Sequence, residues 1–250
     1  MAEGLDRRYD ATRAPTGALA EVDEGLRAYM LRVYNYMTSG ILLTGILALV
    51  INRSDALKQL FFVMTPAGQV GGYTMLGLVA MFAPLAFVLF GTFTLHKRSP
   101  AFVQTMFWTY AASCGISVAL LLELYTGQSV ARVFFVTAAA FGALSLWGYT
   151  TKKDLSGWST FLVMGLIGAL IAIVVNWFLA SSMLQTIISI VLVIVAAGLT
   201  AYDTQKIKEQ YYTIDSQGAA TKSAVFGAFM LYLDFIIMFK NLLFLFGQRE

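Results

Sequence analysis

Charge is what this chain has least of. Of its 250 residues only 12% are Asp, Glu, Lys or Arg, while 58% are hydrophobic. Soluble domains carry roughly twice that charged share. Between Ser99 and Ala201 the only charged side chains are Glu123, Arg132, Lys152, Lys153 and Asp154. So few charges cannot cover the surface of a water-soluble fold, which excludes an ordinary globular domain. Cysteine and histidine are scarcer still, with one of each. A lone Cys114 excludes an internal disulfide, and a single Cys with a single His argues against zinc or haem held by clustered soft ligands. The net charge of +3 comes from scattered short loops, with no Lys/Arg block of the kind that binds nucleic acid. The N-terminal stretch lacks the basic-then-apolar pattern of a cleaved signal, so insertion is assigned to the first membrane helix.

What is present is a series of long apolar runs: Val33–Ile51, Tyr73–Leu95, Ala101–Leu124, Val133–Tyr149, Gly157–Ala180, Met183–Tyr202 and Ser223–Phe246. Each approaches the length of about 20 residues that a helix needs to cross hydrocarbon. They are continuous, unlike the short alternating strands of a membrane barrel. The expected fold is an all-α membrane protein, a bundle of seven transmembrane helices. Residues 1–25 read as a mobile cytosolic tail and residues 26–250 as one transmembrane domain. Pro84 is expected to bend the second span, and the Ser181-Ser182 junction predicts a tight hairpin between the fifth and sixth. Small residues such as Ala138-Ala139-Ala140 and Ala196-Ala197-Gly198 suit close helix approach. Lys and Arg alternate in number between the two sides. Twelve fall on the side of the N-terminus (Arg7, Arg8, Arg13, Arg27, Arg32, Lys97, Arg98, Lys152, Lys153, Lys206, Lys208, Lys222), against Arg53, Lys58, Arg132 and Arg249 opposite. This asymmetry places the N-terminus in the cytoplasm. Seven spans then put the C-terminus outside, unless the last run is re-entrant.

Against this background two acids stand out. Asp234 lies about 16 Å along the last span at 1.5 Å per residue. A carboxylate at membrane depth costs about 2.5–3.5 kcal/mol even on a mild insertion scale, and is retained when a partner, an ion or a proton offsets the cost. Asp203 closes the sixth span on a face shared with Ala196, Leu199 and Thr200. It reads either as a solvated acid paired with Lys206 or Lys208, or as a group buried in the bundle. Consecutive antiparallel spans could bring Asp203 and Asp234 together. Two close carboxylates in low dielectric would share a proton and titrate as a unit. Deprotonated, they would suit a hard cation such as Ca²⁺. Lys240 sits about 120° around the helix from Asp234 and is expected to snorkel outward. Glu123, at the outer end of the third span, is either an interfacial acid or an outer ion entrance. His96, Lys97 and Arg98 read as positive-inside anchors or as a basic latch onto Asp203. Asp154 is expected to cap the fifth span.

The runs FFVTAAAFGALSLWGYTTKKDLSGW, AGLTAYDTQKIKEQY and LYLDFIIMFKNLLFLFG resemble the Bax inhibitor-1 family, also called the transmembrane Bax inhibitor motif family, over roughly residues 25–248. The tail and the motif wording resemble its bacterial branch. The resemblance implies a seven-helix fold whose last helix is central, and a pH-dependent calcium leak gated by paired aspartates that fall here on Asp203 and Asp234. It also implies a basic latch from the second helix, for which Lys97 is the nearest match and Arg98 the next. A bacterial inner membrane location follows, with the N-terminus cytoplasmic. The chain is then not an enzyme and carries no cofactor. Calcium is the permeant or transiently bound species, and the partners are the bilayer and calcium. The alternative is a non-conducting regulator acting through other membrane proteins such as proteases.

Overall fold

A computed structural model of the chain describes residues 16–66, 70–80, 83, 99–214 and 216–249, with side chains described from Glu24 onward. Its elements are α1 (Thr16–Arg53), α2 (Asp55–Phe61), β1 (Phe62–Met64), β2 (Val70–Tyr73), α3 (Pro100–Leu124), α4 (Gly127–Thr150), α5 (Ser156–Leu179), α6 (Ser182–Tyr211) and α7 (Gln217–Phe246). Among the described residues six helices are long and apolar enough to cross a membrane. The chain is therefore an all-α membrane protein. Most of the second expected span, Pro84 included, lies outside the described residues. Residues 75–80 are helical, and Tyr73 belongs to β2.

Helices outrun the apolar runs at several ends. α6 continues nine residues past Tyr202, α7 begins six before Ser223, and α1 starts at Thr16, inside the segment read as a tail. Hydropathy marks bilayer depth, whereas the hydrogen-bond ladder continues into water wherever good helix formers and a cap allow. The caps are visible in the sequence once the ends are known. The hydroxyls of Ser99, Thr126, Ser181 and Ser216 accept the N–H groups of Phe102, Ser129, Leu184 and Ala219. The segment after α1 was legible only as a link. It folds into the short α2, whose cap Ser54 accepts from Leu57, and an antiparallel β1–β2 pair in which Phe62 faces Tyr73.

Side-chain bonds fix the helix directions. Gln104 donates to the Tyr36 hydroxyl at 2.8 Å, and Asn52 donates to Glu123 at 2.5 Å, so α1 and α3 run parallel. Arg53 and Pro100 therefore lie at opposite ends of the bundle. α4 returns antiparallel to α3, and α5 and α6 form a hairpin. At that hairpin Ala180 adopts a left-handed backbone (φ 49°) and the Asn176 carbonyl oxygen Oδ1 accepts the Ser181 N–H. α7 packs against α1, α3, α4 and α6, and its apolar core window is the most buried of the six, at 50%. Its end is pinned: Thr126 N–H donates to the Gln248 carbonyl, Gln248 N–H donates to Ser129 Oγ, and Arg249 stacks on Tyr125. α7 thus runs as one continuous helix from the α6–α7 link to the α3–α4 turn. Edge-to-face aromatic contacts seat it, among them Tyr110–Phe229 at 4.8 Å and Phe134–Phe235 at 5.6 Å.

The left-handed Ala180 costs roughly 1 kcal/mol that glycine would not. Ala180→Gly is expected to stabilise the protein by about 0.5–1 kcal/mol, measured as a raised unfolding midpoint in detergent.

Candidate functional site

The two acids meet. Asp203 on α6 and Asp234 on α7 are each 3% exposed, and their carboxyl groups lie within hydrogen-bonding reach of each other. The reason lies in small residues. α6 and α7 cross closely because Ala224 and Ala228 are fully buried and Gly227 sits on Ile207, where a Cβ would come within 3.0 Å. On α6 the predicted face is the buried one: Ala196, Leu199, Thr200 and Asp203 are all at most 8% exposed. The solvated reading of Asp203 is therefore corrected. Lys206 is exposed beside it, and Lys208 instead donates to the Tyr149 carbonyl at 2.9 Å and lies over the Tyr149 ring.

One oxygen of each acid, Oδ2, has no hydrogen-bond partner among the described residues. Two carboxyls that face each other, each with an unbonded oxygen in a buried site, cannot both carry full charge cheaply. A shared proton relieves them, and so does a cation. The two carboxyls alone fall short of the six to eight oxygens that calcium takes, and no third acid, His or Cys joins them among the described residues.

A polar chain, unread in the sequence, leads to this pair. Tyr34 on α1 bonds Ser145 on α4 at 2.6 Å, and Ser145 bonds Thr204 on α6 at 2.9 Å, next to Asp203. The chain ends a cleft of about 600 Å³ between α1 and α4, which Tyr34 and Ser145 line and at which Arg27 is exposed. No sequence pattern announces such a chain, because hydroxyls within apolar runs commonly bond their own helix backbone. Gly148 is the nearest thing to a signal. A Cβ there would lie 2.2 Å from the Ala201 carbonyl oxygen, so α4 and α6 touch backbone to backbone two residues from Asp203. Gln205 then staples the α4–α5 loop. It is buried, accepts the Leu155 N–H and donates to the Lys153 carbonyl, both at 2.8 Å.

The other predicted residues lie elsewhere. His96, Lys97 and Arg98 lie outside the described residues. Glu123 is at the far end of the bundle, paired with Lys58 at 2.5 Å and bonded by Asn52. Its charge is neutralised there and it does not meet the aspartates. Asp154 accepts the Ser156 N–H at 2.8 Å at the start of α5, and the hydrogen bonds from Ser156 hold its carboxyl below the usual carboxylate range. Lys240 does not snorkel free. It is half-buried, within electrostatic range of Cys114. The outward reading failed because α7 continues six residues beyond Lys240, with Phe239 and Leu243 beside it buried.

Comparison with known proteins agrees with the three motif runs. The family model described as "Inhibitor of apoptosis-promoting Bax1" matches residues 26–250. A protein of Caulobacter vibrioides is 43% identical over 248 residues, covering 99% of this chain and 97% of its own. A Rickettsia prowazekii protein is 41% identical over 242 residues, 97% of this chain and 98% of its own. The inner membrane protein YbhL of Escherichia coli K12 is 40% identical over 228 residues, 90% and 94% respectively.

Removing the Gln205 side chain would orphan the buried Leu155 N–H and cut two bonds at once. Gln205→Ala is expected to cost about 2–3 kcal/mol, read as a lowered unfolding midpoint in detergent.

Proposed function

We propose, from the premise that this chain belongs to the Bax inhibitor-1 family, that it is a pH-sensitive cation leak of the bacterial inner membrane, with calcium as cargo and the Asp203–Asp234 pair as gate. The observation that carries this reading is the pair itself: two buried carboxyls in reach of each other on adjacent helices, each with an unbonded oxygen. A purely structural role would be met more cheaply by a neutral pair, since burying acids is costly. The N-terminus is taken as cytoplasmic from the Lys and Arg asymmetry. The seven-span count, with α7 at the centre, is taken from the family resemblance. It is supported by the placement of Arg53 and Pro100 at opposite bundle ends, which calls for one more crossing between them.

The gate works by proton count. With one proton between them the acids hold α6 and α7 together through a shared hydrogen bond. As pH rises the proton leaves, like charges repel, and the close α6–α7 crossing becomes unfavourable. The pair then separates or takes up a cation. The cleft between α1 and α4, with its Tyr34–Ser145–Thr204 chain, is the route by which water and protons reach Asp203. The charged and titratable groups around it are Arg27 at its mouth, Tyr34, Tyr149 and the exposed Lys206. Lys97 or Arg98 is kept as the basic latch on Asp203 and Glu123 as the outer entrance, the latter opening only when Lys58 releases it.

Calcium flux into proteoliposomes is expected to rise with pH in the wild type. Asp234→Asn, which keeps shape and removes the titrating group, is expected to flatten that dependence, and Asp203→Asn to do likewise. An unchanged pH profile in both variants would sink the paired-acid gate. No flux at any pH, with the protein co-purifying with a membrane protease, would favour the regulator instead.

A further inference from the structure

We propose that Tyr29 of α1 is a positioning residue of the acid gate, a strap that ties α6 to α7 at the end of the bundle that carries the α6–α7 link. The proposal rests on the reading that separation of α6 from α7 opens the gate.

Three helices outrun their apolar runs at this end, and the extra turns meet. α1 begins well before Val33, α6 runs on to Tyr211, and α7 starts at Gln217. Turns of helix beyond hydrocarbon face water unless protein covers them, and these are covered. Leu26, Tyr29 and Met30 of α1 are 3–4% exposed, Ile207 of α6 is 3% exposed, and Ala224 and Val225 of α7 are fully buried, all in one apolar cluster. Leu26, Tyr29, Met30 and Val33 recur at helical spacing. α1 therefore lays one continuous buried stripe against the two gate helices.

Tyr29 touches both of them. Its hydroxyl donates to Ser223 Oγ on α7 at 3.1 Å, and its ring lies 5.5 Å from the ring of Tyr211, the last residue of α6. Gly25, one turn earlier on α1, makes room for that ring: a Cβ there would stand 2.1 Å from the Tyr211 hydroxyl oxygen. Ser223 precedes Asp234 by about 16 Å of helix, and Tyr211 follows Asp203 by about 12 Å. The strap thus acts on the same two helices as the acids, a few turns away. The far tip of α7 is fastened at Tyr125, Thr126 and Ser129, which leaves this end as the one that parts from α6.

The two holds differ in chemistry. The acids grip through a proton that rising pH removes. The tyrosine hydroxyl keeps its proton through the neutral range, so the Tyr29 bond opposes opening at every working pH. It sets how far the acids must ionise before the crossing yields. Among the described residues the charged and titratable groups of this corner are Lys206 beside Asp203, Arg27 and Tyr34 on α1, Tyr149 on α4, and Lys222 beside Ser223. Tyr29→Phe leaves each of them in place and keeps the ring against Tyr211, so it removes one hydrogen bond alone.

The test is calcium flux into proteoliposomes against pH, with hydrogen exchange of residues 217–225 read by mass spectrometry on the same proteins. In Tyr29→Phe the flux midpoint is expected to fall by roughly 0.5–1 pH unit, the equivalent of one neutral hydrogen bond. Exchange of residues 217–225 is expected to quicken about five-fold relative to wild type at the same pH. Ser223→Ala is expected to do the same, and the double variant to go no further than either single one. Gly25→Ala, which displaces the Tyr211 hydroxyl, is expected to move the midpoint in the same direction. Ser39→Ala, which removes an exposed α1 hydroxyl bonded to its own helix at the Asn35 carbonyl, is expected to leave it in place. An unmoved midpoint in Tyr29→Phe and Ser223→Ala, a shift to higher pH, or additive shifts in the double variant would each overturn the strap while the leak stands. Absence of flux from every protein would overturn the leak instead. Exchange then decides the strap: the five-fold change supports it, and equal exchange in Tyr29→Phe and wild type overturns it.

Discussion

Two carboxylic acids held face to face inside a bilayer are the constraint to which the rest of this bundle is fitted. Hydrocarbon supplies neither water nor counter-ions, so everything that makes the pair tolerable has to come from the protein. Small residues on α6 and α7 bring the two helices close enough for the acids to share a proton. Gly148 lets α4 touch the backbone of α6 near Asp203, and Gln205 ties the adjoining loop to the same helix. The hydroxyls of Tyr34, Ser145 and Thr204 continue the polar environment toward the cleft. Each of these has a local packing explanation, and together they surround one buried charge site.

Membrane depth was legible in the sequence because it follows from composition: apolar length marks the spans. The buried face of α6 was legible from helical period, since Ala196, Leu199 and Thr200 recur on the Asp203 side. The meeting of Asp203 with Asp234 was legible as a possibility from antiparallel neighbours, and the close crossing at Gly227 realises it. The polar chain through Ser145 was not legible. A serine in an apolar run has the same pattern whether it bonds its own helix or a neighbour. The fold of residues 54–73 escaped for a related reason: short elements at an interface carry too few residues for a period to show. Lys240 was misplaced because distance to a helix end says nothing about which neighbours enclose that end.

The two ends of the bundle are built on different principles. At the end that carries the α6–α7 link, lysines serve as caps and ring partners: Lys208 closes α4 through the Tyr149 carbonyl, and Lys206 lies over Tyr202. At the other end an ion pair, Lys58 with Glu123, joins the short α2 to the last turn of α3. Partly buried pairs of this kind contribute modestly to stability but fix geometry. One end is thus rich in cations near the acid site, and the other is closed by a neutral clasp.

The mooring of the C-terminus has a mechanical consequence. Gln248 and Arg249 are fastened to Tyr125, Thr126 and Ser129 by backbone, hydroxyl and ring contacts. A rod secured at one tip cannot slide like a piston. Any motion of α7 relative to α6 is therefore a swing about that anchorage, with travel that grows toward Gln217, and an appended fusion at residue 250 would load the fulcrum itself.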